Sequence, residues 1–555
     1  MMPQNFSFFR LLAFLLTTTI LIFACQQPDI ERASDSDYGR IGGISGNELN
    51  DVQELHKSNG SEPQTLDPHR AEGVPAANIL RDLFEPLVME SPTGELVPGA
   101  ASNWEVSDDG LVYTFFLRPD SLWSNGDQVT AQDFVFGMRR ALDPKTLSSY
   151  ASILYPILNA EKINLGEMES DALGVKALND LTLEIRLVAP TSYFLGLLNH
   201  NMAYALHPES VKQFSEKFSR AGNLISNGAY VLKDWVIQSH IVLERNQFFR
   251  ENSQTIIDKV TYYAIEDSNA VFKRYRAGEL DFTQSIPARQ LDWIEKNIPS
   301  EYFQSPYLGS YYFGFNTSKP PFKGRPGLRR ALSMVIDRKI ITDKLTRAGE
   351  QPAYGWIPPV KGYEQQKSNW ASWTMEQRIS KARNLYHEAG YSDQKPLTVE
   401  IIYNTSQDHK RLAIAIAAMW NETLGVQARL LNQEWKVFLQ TRQSKINTQV
   451  FRAGWIGDFN DPYTFAQLLH SQNAQNDFGW YSQEYDSLLD GAAKEIDLLK
   501  RAQLLQEAER LLLNEAPLMP IYFYVSKHLI KPWVSGFEKN LMDHTYTKDL
   551  AILKH

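Results

Sequence analysis

The chain has a single cysteine, Cys25, among 555 residues, so no internal disulfide can cross-link its fold. Stability must come from burial. With 43% hydrophobic and 12% aromatic residues, the chain is long enough for two or three packed units rather than one core. Short β-branched or aromatic runs bounded by turn residues predict strands at 112–117, 240–244, 260–265, 397–403 and 426–431. Apolar residues three and four apart predict helices at 130–142, 375–390 and 409–425, and over 484–514 an amphipathic helix or a broken pair. Strands and helices intermixed in this way imply an α/β fold.

The same cysteine ends a second pattern. Residues 1–10 are short and mildly positive, and 11–24 form an apolar stretch too short to span a bilayer comfortably, which together read as a signal peptide, 1–24. Ala24 and Ile22, one and three positions before Cys25, make the site resemble the lipobox of bacterial lipoproteins, whose cysteine sulfur carries diacylglycerol and becomes the new N-terminus. The alternative is a chance cysteine in an ordinary signal peptide. Residues 25–49 are rich in Ser, Asp and Gly without apolar periodicity and read as a flexible tether. No later apolar run reaches spanning length. The expected location is the periplasm or cell envelope, with the protein held to a membrane by lipid on Cys25.

A formal net charge of −9 argues against nucleic acid, whose phosphates demand a basic face. H-E-x-x-H, G-x-S-x-G, the phosphate-binding G-x-x-x-x-G-K-[ST] and the dinucleotide loop G-x-G-x-x-G are all missing from the sequence. The 11 histidines show no metal-ligand spacing. No cofactor or metal is expected, and a binding protein is favoured over an enzyme. Three stretches combine aromatics with Gly or Pro, at 306–316, 451–462 and 520–525. Such stretches suit either a pocket that is apolar yet able to hydrogen-bond or core strands and turns.

The order of motifs carries more. Residues 62–86 (EPQTLDPHRAEGVPAANILRDLFEP), 123–133 (WSNGDQVTAQD), 227–235 (NGAYVLKDW), 329–337 (RRALSMVID), 403–406 (YNTS) and 432–435 (NQEW) follow one another along the chain. Over nearly all of it beyond the tether, this series resembles the periplasmic oligopeptide-binding proteins, the solute receptors of ABC importers. The resemblance implies a three-domain, two-lobed clamp with a discontinuous domain I: 50–85, 209–308 and 525–555 for domain I, 86–208 for domain II and 309–524 for domain III. Crossings between lobes near 308 and 524 would act as a hinge. The implied partners are short oligopeptides and the permease subunits of an ABC transporter, and the implied state is a monomer.

Peptides of any sequence share a backbone, an ammonium and a carboxylate. By the resemblance, Asp458 in G-W-I-G-D-F-N-D-P holds the ammonium, with Asp461 better suited to a turn. Glu72 and Val74 line one side of the groove with their main chain, Gly454, Trp455 and Ile456 line the other, and Tyr150, Asn404, Trp435 and Tyr524 line pockets. Arg452, Arg442 and His409 match cationic partners of the carboxylate, for which a guanidinium fork is suited. His409 is equally explained as a helix-start residue.

The chain departs from the family pattern at several positions. Thr346, beside Arg347, stands where a lysine is usual. Gly309 and Ile456 replace a pair of cysteines. Gly314 replaces an acid and should leave the groove one negative charge short. The alternatives to an oligopeptide receptor are a receptor of the same fold for murein peptide, haem or a nickel chelate, and an envelope peptidase using Asp458 and His409.

Overall fold

The computed structural model describes residues 48–555; the readings on the signal peptide, on Cys25 and on most of the tether lie outside the described residues. Glu48 and Leu49, assigned to the tether from sequence, are paired with the chain's end. Lys554 N–H donates to the Glu48 carbonyl at 2.9 Å, and Leu49 bridges Leu553.

Three larger sheets organise these residues. The first, of four strands, runs in the order Glu54–Ser58, Lys259–Tyr263, His240–Arg245, Tyr230–Val236, its first pair parallel and the rest antiparallel. It is built from distant segments, and the C-terminus returns to it. Asp82, on the helix Val74–Leu83, accepts from Tyr262 Oη at 2.7 Å and from Thr547 N–H at 2.8 Å. The second, of four antiparallel strands, orders Ala101–Val106, Val112–Leu117, Thr182–Arg186 and Val175–Asn179.

The third sheet has six strands in the order Gln351–Pro352, Leu518–Leu529, Tyr302–Phe315, Val450–Ile456, Thr398–Asn404, Gln427–Gln433. Side chains alternate across a strand. Accordingly Tyr311, Phe313 and Phe315 enter one hydrophobic core while Leu308 and Tyr312 enter another, so both faces of this sheet are covered. The two longest strands, Tyr302–Phe315 and Leu518–Leu529, pair antiparallel along most of their length. Their register breaks between Pro306 and Ser310, opposite Val525 and Phe523.

Helices start where side chains cap them. In Met375–Glu388 the Thr374 hydroxyl accepts from Gln377 N–H at 3.2 Å, and the Gln377 amide returns the bond to Thr374 N–H at 2.9 Å. The stretch 484–514 is a broken pair, Gln483–Lys494 and Leu498–Glu515, the second capped by Asp497 on Leu499 N–H at 2.9 Å.

Candidate functional site

The chain brings all thirteen sequence-nominated site residues, Glu72, Val74, Tyr150, Asn404, His409, Trp435, Arg442, Arg452, Gly454, Trp455, Ile456, Asp458 and Tyr524, to the wall of one cavity of about 450 Å3. Its floor is the strand Val450–Ile456. On one side this strand pairs with Tyr302–Phe315 as far as Gly309 opposite Ile456. On the other, Thr398–Asn404 covers only Val450 and Phe451, so among the described residues no strand neighbours the edge at Gly454–Ile456. Across the cavity stand Glu72 and Val74, where the helix Val74–Leu83 begins. Gly73 between them has φ of +80°, and a Cβ there would come within 3.1 Å of Trp435; both facts favour glycine.

At one end sits Asp458. Its backbone N–H donates to Thr464 Oγ1 at 3.0 Å, and the same hydroxyl lies 3.4 Å from Oδ2. The nearest basic group is His200, with Nε2 3.7 Å from Oδ1. His200 Nδ1 accepts from Met202 N–H at 3.3 Å, which leaves the ring proton on Nε2. Burial pulls His200 down to about 3, so it is neutral and brings no counter-charge. Asp458 is itself raised to about 7 by burial, against a smaller lowering by the Thr464 hydroxyl. It is a buried carboxylate poised for a cation. Asp461, three residues on, is spent elsewhere, paired with Arg501 at 2.8 and 2.9 Å.

At the other end sits Arg452. Its guanidinium donates to Asn404 Oδ1 at 3.1 Å and to Tyr524 Oη at 3.0 Å, and lies over the Tyr311 ring at 4.7 Å. No carboxylate pairs with it among the described residues. His409, 3.3 Å from Tyr311 Oη through Nδ1, is held well below its ordinary range by burial and then by the charge of Arg452. The third nominated cation, Arg442, differs from Arg452: its Nε is ion-paired with Asp477.

Between the two ends, the Tyr150 ring stacks on Trp455 at 6.2 Å and packs against His200 at 5.2 Å. Glu72 Oε1 accepts from Ser149 Oγ at 2.6 Å and from Gln443 Nε2 at 2.9 Å. Sequence reasoning missed His200, Arg81, Gln475, Asp477 and His544, which also line the cavity. Arg81 stands within the 62–86 motif but carries no mark of a site there; the other four lie outside every motif, and no local pattern marks them.

The departures resolve unequally. Gly309 and Ile456 face each other across the strands, and a Cβ at 309 would lie 2.5 Å from the Ile456 methyl, so the large residue fills the space of the small one. Gly314 corrects an expectation: a side chain there would meet the Phe451 and Phe478 rings, so the position belongs to the core and takes no charge from the groove. Thr346 is buried outside the cavity, and Arg347 pairs with Asp292 at 2.6 Å.

Comparison with known proteins finds relatives over most of the chain. The sequence model "Bacterial extracellular solute-binding proteins, family 5 Middle" matches residues 95–477. The periplasmic oligopeptide-binding protein OppA of Escherichia coli (strain K12) is 42% identical over 512 residues, 91% of this chain and 94% of its own. The structure of the Escherichia coli murein tripeptide binding protein MppA superposes with a TM-score of 0.89 at 39% identity, covering 91% of this chain and 100% of that one. MppA in its unliganded open form superposes with a TM-score of 0.65 at 39% identity, covering 92% and 99%.

Proposed function

The chain belongs to family 5 of the bacterial extracellular solute-binding proteins, and on that premise we propose that it is an extracytoplasmic receptor that encloses short oligopeptides between two lobes and delivers them to an ABC peptide importer. One observation carries the reading: a single cavity holds a buried carboxylate without a cation, Asp458, and a buried guanidinium without an acid, Arg452, on one extended segment with an open strand edge between them. Two opposite unpaired charges suit a zwitterion, and an open edge suits a peptide backbone lying as an added strand.

The spacing also bears on length. Asp458 and Arg452 are six residues apart, roughly 20 Å of extended chain at about 3.3 Å per residue. After the reach of both side chains, roughly three to five peptide residues fit between them. In this reading the ammonium lies at Asp458, the carboxylate at Arg452, and the backbone between Glu72–Val74 and Gly454–Ile456. Tyr150, Asn404, Trp435 and Tyr524 border side-chain space.

Lobes made of 50–85, 86–208, 209–308 and 525–555 on one side and 309–524 on the other close by bending near 308 and 524. The register breaks of the two crossing strands lie at those places. Native mass spectrometry of purified protein tests the ligand class. Co-purified peptides of two to five residues are expected; a haem or metal adduct would overturn the reading.

Among the described residues no helix is long and apolar enough to cross a membrane. Cys25, directly after the apolar stretch, is in this reading the lipidated N-terminus that holds the receptor at the envelope. The Cys25→Ser variant should leave the membrane fraction or accumulate as uncleaved precursor. Fractionation and migration identical to wild type would contradict the anchor.

A further inference from the structure

The cavity's two nominated guanidiniums are not equivalent. Arg452 is hydrogen-bonded to the neutral groups Asn404 and Tyr524 and lies over the Tyr311 ring, and among the described residues no carboxylate pairs with it. Arg442, on the helix Trp435–Ser444, is ion-paired through Nε with Asp477, and the side chains are 16% and 5% exposed. Asp477 itself lines the cavity, and its Oδ1 is buried and accepts no hydrogen bond from the described residues. Burial raises this carboxyl, and the charge of Arg442 partly opposes the rise.

Both members of the pair line the cavity. Gln443, next to Arg442, donates to Glu72 Oε1 at 2.9 Å. The Tyr150 phenol is within electrostatic reach of Asp458, Glu72 and Arg442, and that of Tyr312 is within reach of Arg442, Asp477 and Arg452. Arg442 thus stands on the cavity wall near Glu72 and the two phenols. A ligand carboxylate arriving there would compete with Asp477 for the same guanidinium and meet the unpaired Oδ1.

We propose that Asp477 is a selectivity residue: by holding Arg442 in a buried ion pair it reserves Arg452 for the ligand's carboxylate and turns away ligands that place a side-chain acid beside that pair. This rests on the peptide reading above. Juxtaposing like charges is how a binding site rejects a wrong partner, and a buried carboxylate already paired with a guanidinium gives it up only at a cost.

The test uses tetrapeptides carrying Glu or Gln at the second or the third position, titrated calorimetrically into ligand-stripped wild type, Asp477→Asn and the double variant Asp477→Asn/Arg442→Gln. Wild type should prefer Gln. In Asp477→Asn the ratio of Glu- to Gln-peptide affinity should rise about tenfold or more at one position, since a charge-assisted bond to the freed guanidinium becomes available. In the double variant the ratio should fall back, because the gain runs through Arg442. A ratio in Asp477→Asn within about threefold of wild type at both positions overturns the proposal, as does a rise that survives loss of Arg442. Should wild type bind none of the four peptides, the peptide reading falls and this assignment with it; binding without the shift removes the assignment alone. If Asp477→Asn does not fold, the double variant, which buries no unpaired charge, is compared with Arg442→Gln alone. The Glu-to-Gln ratio should then be higher in the double variant, through loss of repulsion by Asp477, and equal ratios overturn the proposal.

Discussion

Asp458 shows at the scale of one residue how a binding site opposes stability. Its carboxyl has an unfolded value near 3.8 and is raised by burial to about 7 in the folded protein. A raised carboxyl favours folding fully below the unfolded value, and that contribution is lost as pH rises through the folded one. Ligand-free wild type should therefore lose stability relative to Asp458→Asn as pH climbs from about 4 to about 7, by up to ~4 kcal/mol. Urea unfolding of both proteins, stripped of ligand, at pH 4.5, 6 and 8 checks this, and parallel profiles would contradict it. In the proposed reading, the ligand's ammonium would supply the missing counter-charge. The G-W-I-G-D-F-N-D-P segment made Asp458 legible in the sequence, and its neighbour Asp461 equally as a structural acid. His200 was illegible, since nothing in its surroundings separates it from the other histidines, and only the fold sets it 3.7 Å from Asp458. Asp477 was illegible for the same reason.

At the scale of elements, local pattern was a good guide wherever an element is decided locally. The strand expected at 112–117 is Val112–Leu117, and the helix expected at 375–390 is Met375–Glu388, set by its own capping box. The aromatic stretches at 306–316, 451–462 and 520–525 left core and pocket as alternatives, and both are realised. The three strands that contain them are neighbours in the third sheet. Along Tyr302–Phe315 residues alternate between two cores, and in Val450–Ile456 Phe451, Ala453 and Trp455 enter one core while Arg452, Gly454 and Ile456 line the cavity, whose open edge is Gly454–Ile456. Gly454 keeps that edge close to Tyr524, whose hydroxyl a side chain there would strike. Arg338 marks the limit of pattern reading. It follows a helical motif and is a charged side chain, yet it is fully buried, donating to the carbonyls of Ala353 at 2.8 Å and Pro520 at 2.7 Å. These acceptors are remote in sequence, so periodicity carries no trace of them.

For the whole molecule, the discontinuous first sheet and the paired crossing strands make a frame in which one lobe can turn against another without unfolding either. The closer superposition on one MppA structure than on its unliganded open form describes a chain in the more closed arrangement. In that arrangement Asp458 and Arg452 face a common space. The resemblance in the sequence carried the clamp architecture, because motif order survives where single positions change. It could not carry the charge state of the cavity, which depends on pairs such as Arg442 with Asp477 assembled from distant segments. The central claim is that closure is directed by a free peptide ammonium held at Asp458. Acetylating the peptide removes the ammonium and leaves a buried carboxylate alone; breaking such a pair costs about 3–5 kcal/mol, roughly a hundredfold or more in affinity. Calorimetry on the four combinations of wild type or Asp458→Asn with free or acetylated tripeptide measures it directly. The expected result is a large loss for either change and little further loss for both, because they remove one interaction; additive losses, or equal affinity in all four, would contradict the account.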